Sequence, residues 1–406
     1  MKIKYSKTLD LIAIYSFIVM IYSGLIKWFD FWPIDPIIIF GLITILCLII
    51  KALSKMKISL IRGYTNSMLL IFPFSIWLYI SITYSFSDNY VYTKALNYIL
   101  IVFSFLFPFF YINDLKSLKR FLLSFSTLGV LVSFVFLYLY IIGGNDLYLT
   151  YFKLTENDLN PLGIPDYLAL AGPVGISAII LIFQKQWSYR VLSLLCVFTL
   201  IILSGRAPIL SLIIILIIYA LVNAKLSIRF FRNFTIILIS ILFSSSYFLN
   251  LKPFERINER ISVMFSGNTS DNASVIVRFE MLDLSKDIFF KSPLIGIGLG
   301  SFGIFMQGKD VRDHPHNMIV EILIEQGIIG FLLFSILFAP LIFKIIPYLI
   351  TKNNYIFFIC GGIFIYEFLN VMKSSSIVEN RPFFTIVAIC FIASKLKVTN
   401  DKNNLN

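Results

Sequence analysis

Long apolar runs separated by short polar segments dominate this chain. The runs at 9–26, 34–50, 67–84, 95–112 and 121–142 approach or exceed the roughly 20 residues needed to cross a ~30 Å hydrocarbon layer. Further runs at 162–183, 191–203, 207–222, 234–249, 328–350, 355–372 and 382–393 bring the expectation to about twelve spans. A spanning segment has to satisfy its own backbone hydrogen bonds, so each run predicts a helix. The expected fold class is all-α, a polytopic membrane protein. No small-residue cleavage site follows the first run, which is therefore expected to stay as an anchor.

Composition agrees with this pattern. Of 406 residues, 58% are hydrophobic and 42 are Phe, and the mean hydropathy of +0.88 lies far from that of an ordinary soluble domain. The cations set the expected orientation. Lys2, Lys4 and Lys7 precede the first run; Lys51, Lys55, Lys57 and Arg62 follow the second; Lys116, Lys119 and Arg120 follow the fourth. Lys185, Arg190, Lys225, Arg229, Arg232, Lys344, Lys352, Lys395, Lys397 and Lys402 continue the same side. The short loops opposite carry Lys27, Lys94, Lys153, Arg206, Lys373 and Arg381, so both termini are expected in the cytoplasm. The net charge of +12 then serves insertion and gives no support to nucleic-acid binding, which gathers basic residues on a soluble face. Cys47, Cys196, Cys360 and Cys390 all fall within predicted spans without metal-ligand spacing.

Two outward segments exceed a turn, 143–161 and the much longer 252–326; loops of that length usually carry function. The expected organisation is five helices and a medium outward loop over 1–161, helices six to nine over 162–251, a long periplasmic loop over 252–327, helices ten to twelve over 328–395, and a cytoplasmic tail from 396 to 406. Within the long loop, Val275, Phe279, Leu282 and Phe289 align at helical spacing with Glu280 and Asp287 opposite, which predicts an amphipathic helix from Ala273 to Phe290. Lys291-Ser292-Pro293 stops it, Gly296 to Gly303 predict a flexible connection, and a short second helix is expected from Asn317 to Gln326.

The chain's two histidines lie in His314-Pro315-His316-Asn317. His316 stands just ahead of a predicted helix start that Asn317 can cap, where an uncharged imidazole could accept a proton from a sugar hydroxyl; the plainer reading is a hydrogen-bonded surface histidine. A His-x-His zinc pair lacks a third ligand, and no metal is expected. Arg206, in Ser204-Gly205-Arg206-Ala207-Pro208, interrupts two apolar runs. An arginine at that depth costs on the order of 2.5–3.5 kcal/mol on insertion scales and suits bidentate phosphate binding, unless it snorkels from a tight turn. Arg278 shares this logic from the flank of the amphipathic helix. Gly298-Leu299-Gly300-Ser301-Phe302-Gly303 matches GxGxxG without the strand and helix a dinucleotide site requires, leaving a phosphate nest or a hinge. Glu321 and Glu325, one turn apart, are expected on a solvated face, or with one of them orienting His316. Asp166, Glu367 and Asn370 are polar groups at membrane depth that should face the bundle interior and line a cavity. Asp30 and Asp35 form another carboxylate pair near Trp28 and Trp32, and interfacial residues of that kind are also common.

Three stretches together resemble the O-antigen ligase and polymerase family of bacterial envelope polysaccharide enzymes: Leu203 to Ala207; Arg278-Phe279-Glu280 through Lys291 to Phe302; and His314 to Asn317 through Glu321, Glu325, Gly327 and Gly330. The likeness covers roughly residues 162–350. It implies a C-type glycosyltransferase-like membrane fold in the bacterial inner membrane. It further implies an undecaprenyl diphosphate-linked oligosaccharide as substrate, no cofactor, and inverting glycosyl transfer at the periplasmic face. Position by position, His316 matches the family's loop histidine, and Arg206 and Arg278 its essential arginines. Arg260, Arg312, Asp166, Asn317 and Glu321 join Arg206 and Arg278 as expected substrate-binding residues, and a chain-length regulator protein is a further expected partner. A polymerase is favoured, a ligase using a lipid A-core acceptor is the alternative, and a polyprenyl-linked oligosaccharide flippase the third reading.

Overall fold

The structure, a computed structural model, describes residues 2–25, 34–54, 64–142, 167–203, 206–222, 273–350, 355–374 and 376–403. Among them no strand occurs, and the helices run α1 (Lys2–Ile21), α2 (Pro36–Leu53), α3 (Tyr64–Leu69), α4 (Phe72–Ile80), α5 (Tyr90–Tyr111), α6 (Leu115–Ile142), α7 (Tyr167–Ile182), α8 (Trp187–Ile202), α9 (Arg206–Val222), α10 (Ala273–Lys291), α11 (Phe302–Gln307), α12 (Met318–Ile350), α13 (Tyr355–Ser374) and α14 (Arg381–Asn403). Every predicted run corresponds to one of these elements except 234–249, which lies outside the described residues. Six helical stretches are long and apolar enough to cross a membrane, and four shorter apolar helices accompany them. The chain is an all-helical polytopic membrane protein.

The packing is inverted relative to a water-soluble bundle. On α2, Ile38, Leu42, Ile45, Leu46, Ile49, Ile50 and Leu53 are exposed, while Gly41, Thr44, Cys47 and Lys51 are buried. Lipid tails are as apolar as leucine, so the helix gains little by hiding leucines and gains by hiding small and hydroxyl-bearing residues that permit close approach. The Ser16 and Thr44 hydroxyls meet at 3.0 Å across α1 and α2, and Lys51 pairs with Asp10 at 2.9 Å below them. Asp35, one of the two acids of the first outward loop, accepts from the Ile37 N–H at 2.9 Å and caps α2; Asp30 lies outside the described residues.

α14 is the central element. From Phe383 to Ala393 it is buried on every side, as a helix apolar all round must be. It packs on α5, α13 and α12, with the Phe338 and Phe383 rings stacked at 5.5 Å. α1 docks on α5 through Phe17 and Phe107, stacked at 4.0 Å. α7 meets α13 where Gly175 faces Tyr366, whose hydroxyl donates to the Ala171 carbonyl at 2.8 Å. A Cβ on Gly175 would lie 1.9 Å from the Tyr366 hydroxyl oxygen.

Gly175→Ala therefore overpacks this contact and should lower stability by about 1–3 kcal/mol. Gly41→Ala, whose new Cβ would find only ordinary contact with Met20, should be neutral or stabilising in the same thermal unfolding assay on purified protein. Equal melting temperatures for Gly175→Ala and the parent would contradict the close α7–α13 approach.

Candidate functional site

The segment carrying the histidines is fastened from below by a turn built on glycines. Ile297 and Gly298 donate their N–H groups to the Ile324 and Glu325 carbonyls at 2.9 and 3.0 Å, and Ile328 and Ile329 donate to Pro293 and Leu294. Gly296 has φ +77, and a Cβ there would lie 2.4 Å from the Glu325 backbone; an L side chain is excluded both sterically and by conformation. Gly327, at φ 66 and ψ −170, breaks α12 into an outer piece, Met318 to Gln326, and the span that follows. Ser85 donates to the Leu299 carbonyl at 2.7 Å, and Tyr84 to that of Ile295 at 2.8 Å. The glycine run expected as a flexible connection is thus a packed turn, bonded to α12 on one side and to the α4–α5 connection on the other. The expected amphipathic helix is present as α10. α10 turns Met281, Ser285 and Ile288 inward and leaves Phe279 and Leu282 exposed, because the turn covers the opposite face.

A buried ion cluster holds the outer piece of α12. Lys94 of α5 is fully buried, with its ammonium 2.5 Å from Glu321 and 2.7 Å from Glu325. Glu321 also accepts from the Ser376 hydroxyl and the Ile377 N–H, both at 2.7 Å. The two acids expected on a solvated face are 1% and 2% exposed, and Lys94 is the reason. A cation inside the bundle is tolerable only with carboxylates against it. Glu321, expected to bind substrate, is committed to this cluster, with His314 in its electrostatic reach.

Above the cluster, Asp310 accepts from the Ser87 hydroxyl at 2.6 Å and from the N–H groups of Asp88 and Asn89 at 3.0 and 2.7 Å. Desolvation raises the Asp310 carboxyl's pKa, and these hydrogen bonds more than offset it, leaving it below its ordinary value. Asp313 accepts from Gln307 and from the His314 N–H, each at 2.8 Å. Asn317 accepts from the N–H groups of Ile319 and Val320 at 3.0 and 3.1 Å, so the cap expected from the sequence is present. His316 has φ 55, the only positive value outside glycine among the described residues. This local strain turns its ring against that of His314, with centroids 4.6 Å apart.

Both histidines line one cavity of about 470 Å³. Its walls include Tyr22 after α1, Gly172 on α7, Ala207 and Pro208 in the first turn of α9, Glu367 and Asn370 near the end of α13, and Arg381 with Pro382 opening α14. The expectation that Glu367 and Asn370 line a cavity is met. Arg312 reaches it too, paired with Glu379, which holds the guanidinium above its ordinary pKa. Tyr22 Oη, His314 Nε2, Asn370 Nδ2 and Arg381 Nε are buried there without a hydrogen bond. Buried polar atoms are satisfied in nearly all proteins, and four unpartnered ones on residues of a single cavity wall set it apart as the candidate site.

Of the arginines read from the sequence, Arg206 opens α9 beside the cavity-lining Ala207 and Pro208, and Arg278 lies on α10; their side chains are outside the described residues. Arg260 and Asp166 lie outside them altogether. Sequence reading counted Arg381 only as a loop cation. The signal was present, since Arg381-Pro382 repeats the helix-opening pattern of Arg206-Ala207-Pro208. Tyr22 carried no such signal.

Replacing Lys94 by Met leaves two buried carboxylates facing each other and should cost about 3–5 kcal/mol of stability, read as a lower melting temperature. Adding Glu321→Gln and Glu325→Gln to that variant should recover most of the loss. An unchanged melting temperature for Lys94→Met would show that the cluster does not hold this region.

Residues 191–335 match the family model described as O-Antigen ligase, a stretch from α8 to the middle of α12 that includes Arg206, Arg278 and both histidines. No curated protein matches the chain. The chain thus carries, within an all-helical membrane fold, a stretch similar to the family described as O-Antigen ligase.

Proposed function

We propose that this protein is a surface-polysaccharide (O-antigen) polymerase of the bacterial inner membrane. It joins undecaprenyl diphosphate-linked repeat units at the periplasmic face by inverting, metal-independent glycosyl transfer. The observation that carries this reading is the cavity itself. It gathers both histidines, two guanidiniums and the first turns of α9 and α14, with unpartnered buried polar atoms on the residues of its wall. Both helix starts offer free N–H groups and positive potential, which suit an anionic diphosphate.

In this reading Arg381, Arg312 and the N-termini of α9 and α14, joined by Arg206 and Arg278, hold the diphosphate of the donor. His316 takes the proton from the attacking sugar hydroxyl. The freed oxygen attacks the anomeric carbon from the side opposite the diphosphate. The carbon–oxygen bond to the phosphate breaks, its electron pair leaves with undecaprenyl diphosphate, and the configuration inverts. Guanidiniums fixed beforehand around the leaving group stabilise the charge as it develops and do not reorganise during the step. Both substrates are anchored by lipid in one plane, so orientation supplies much of the acceleration. Asn317 acts by capping α12 and fixing His316 at the cavity wall. All elements lining the cavity lie at the ends of spans opposite the cation-rich loops, which supports the periplasmic assignment. The description of the family model favours a ligase as the second reading.

His316→Asn keeps a residue that tolerates positive φ and removes the base, so it should lower polymer formation by roughly 10²–10⁴ while inserting normally. Arg206→Lys should be defective as well, because an ammonium keeps the charge and loses the fork. Both are read as polysaccharide ladders in cells lacking the native gene. Those cells, carrying no copy, should attach single repeat units to the outer acceptor. Complete loss of attached glycan would point to the ligase, and full ladders from His316→Asn would remove the histidine's role.

A further inference from the structure

The cavity wall holds two chemically different sets of residues, and the diphosphate accounts for one of them. Arg312, Arg381 and the first turns of α9 and α14 make the anion-attracting set. Glu367, Asn370 and Tyr22 make another, on α13 and just after α1. Glu367 is 6% exposed and has no hydrogen-bond or ion-pair partner among the described residues. Glu367, Asn370 and Val371 share one face of α13, all three in the cavity wall. Gly172 leaves the space between α7 and α13 open, and a Cβ there would lie 3.9 Å from both the Glu367 carboxylate and the Tyr22 ring.

None of Glu367, Asn370 and Tyr22 carries a positive charge, so the diphosphate is drawn to the guanidiniums and not to this part of the wall. What fits is a neutral group rich in O–H or N–H donors. Such donors would point at the Glu367 carboxylate, with an acceptor for Asn370 Nδ2 and either partner for the Tyr22 hydroxyl. A pyranose ring supplies all three, and carried on a diphosphate it would engage both sets at once.

We infer that Glu367, Asn370 and Tyr22 form the sugar subsite of the cavity, holding the first sugar of the lipid-linked glycan by hydrogen bonds to its hydroxyl or amide groups. This rests on the proposed donor being a glycan on a polyprenyl diphosphate. All three residues lie outside the stretch 191–335 that matches the family model.

The test is binding to purified full-length protein in lipid nanodiscs, with two probes: undecaprenyl diphosphate, and the lipid-linked repeat unit extracted from cells lacking the gene. The parent protein should bind both, and the glycosylated lipid more tightly. Glu367→Gln should weaken binding of the glycosylated lipid by about tenfold, as expected for a lost hydrogen bond. It should leave undecaprenyl diphosphate binding unchanged. Tyr22→Phe removes an orphan hydroxyl; it should raise the melting temperature of the ligand-free protein and shrink the stabilisation that the glycosylated lipid provides. Parent-like binding of the glycosylated lipid by Glu367→Gln, or equal loss of both lipids, overturns the subsite and leaves the proposed function standing. Failure of the parent protein to bind either lipid overturns the proposed function as well.

Discussion

A single ammonium placed between two carboxylates inside the bundle governs the outer half of this protein. Lys94 is fully buried and meets Glu321 and Glu325 together, so α5, the outer piece of α12 and the segment at Ser376–Ile377 that leads into α14 converge on one point. In a low-dielectric interior none of the three charges tolerates the loss of its partners. The histidine segment starts from that anchored piece of α12, and α14 starts just beyond the anchored serine. The relative placement of His314, His316 and Arg381 therefore follows from the cluster.

Around that anchor the structure assembles parts that are weak alone. Helix starts attract anions modestly, a histidine in left-handed backbone is strained, and orphan polar atoms cost stability. They meet at one cavity lined by five membrane-embedded elements. That pattern fits a site whose features are satisfied by a ligand carrying both charge and hydroxyl groups. The rigid glycine turn and the capping of α5 by Asp310 keep the segment above the cavity in register, so the site is largely formed before anything binds.

The fold was legible because the membrane imposes it. Runs of about twenty apolar residues can only be helices, and each described run is one. Parts of the cavity wall were legible too: the histidine segment, and Glu367 and Asn370 at membrane depth. What escaped depended on partners distant in sequence. Glu321 and Glu325 read as a solvated pair because Lys94, more than 200 residues earlier, gives no local sign that it faces them. The run Gly296 to Gly303 read as slack because glycine permits freedom and close approach equally, and only the neighbouring backbone decides between them. Phe279 and Leu282 read as the apolar stripe of α10, against the bundle or the lipid surface; both are exposed, and the packed turn covers the other face. Tyr22 was one aromatic among many until α7 and α13 closed around it.

The account's central claim is that this one cavity takes both the charged and the sugar parts of a lipid-linked glycan, against different residues of its wall. Cryo-electron microscopy of the protein in nanodiscs with the extracted lipid-linked repeat unit tests it most directly. The account predicts density for the diphosphate against Arg312, Arg381 and the first turns of α9 and α14, with a sugar ring against Glu367 and His316 within proton-transfer reach of the acceptor position. Diphosphate density elsewhere on the bundle, or a cavity left empty beside a bound lipid, would contradict it.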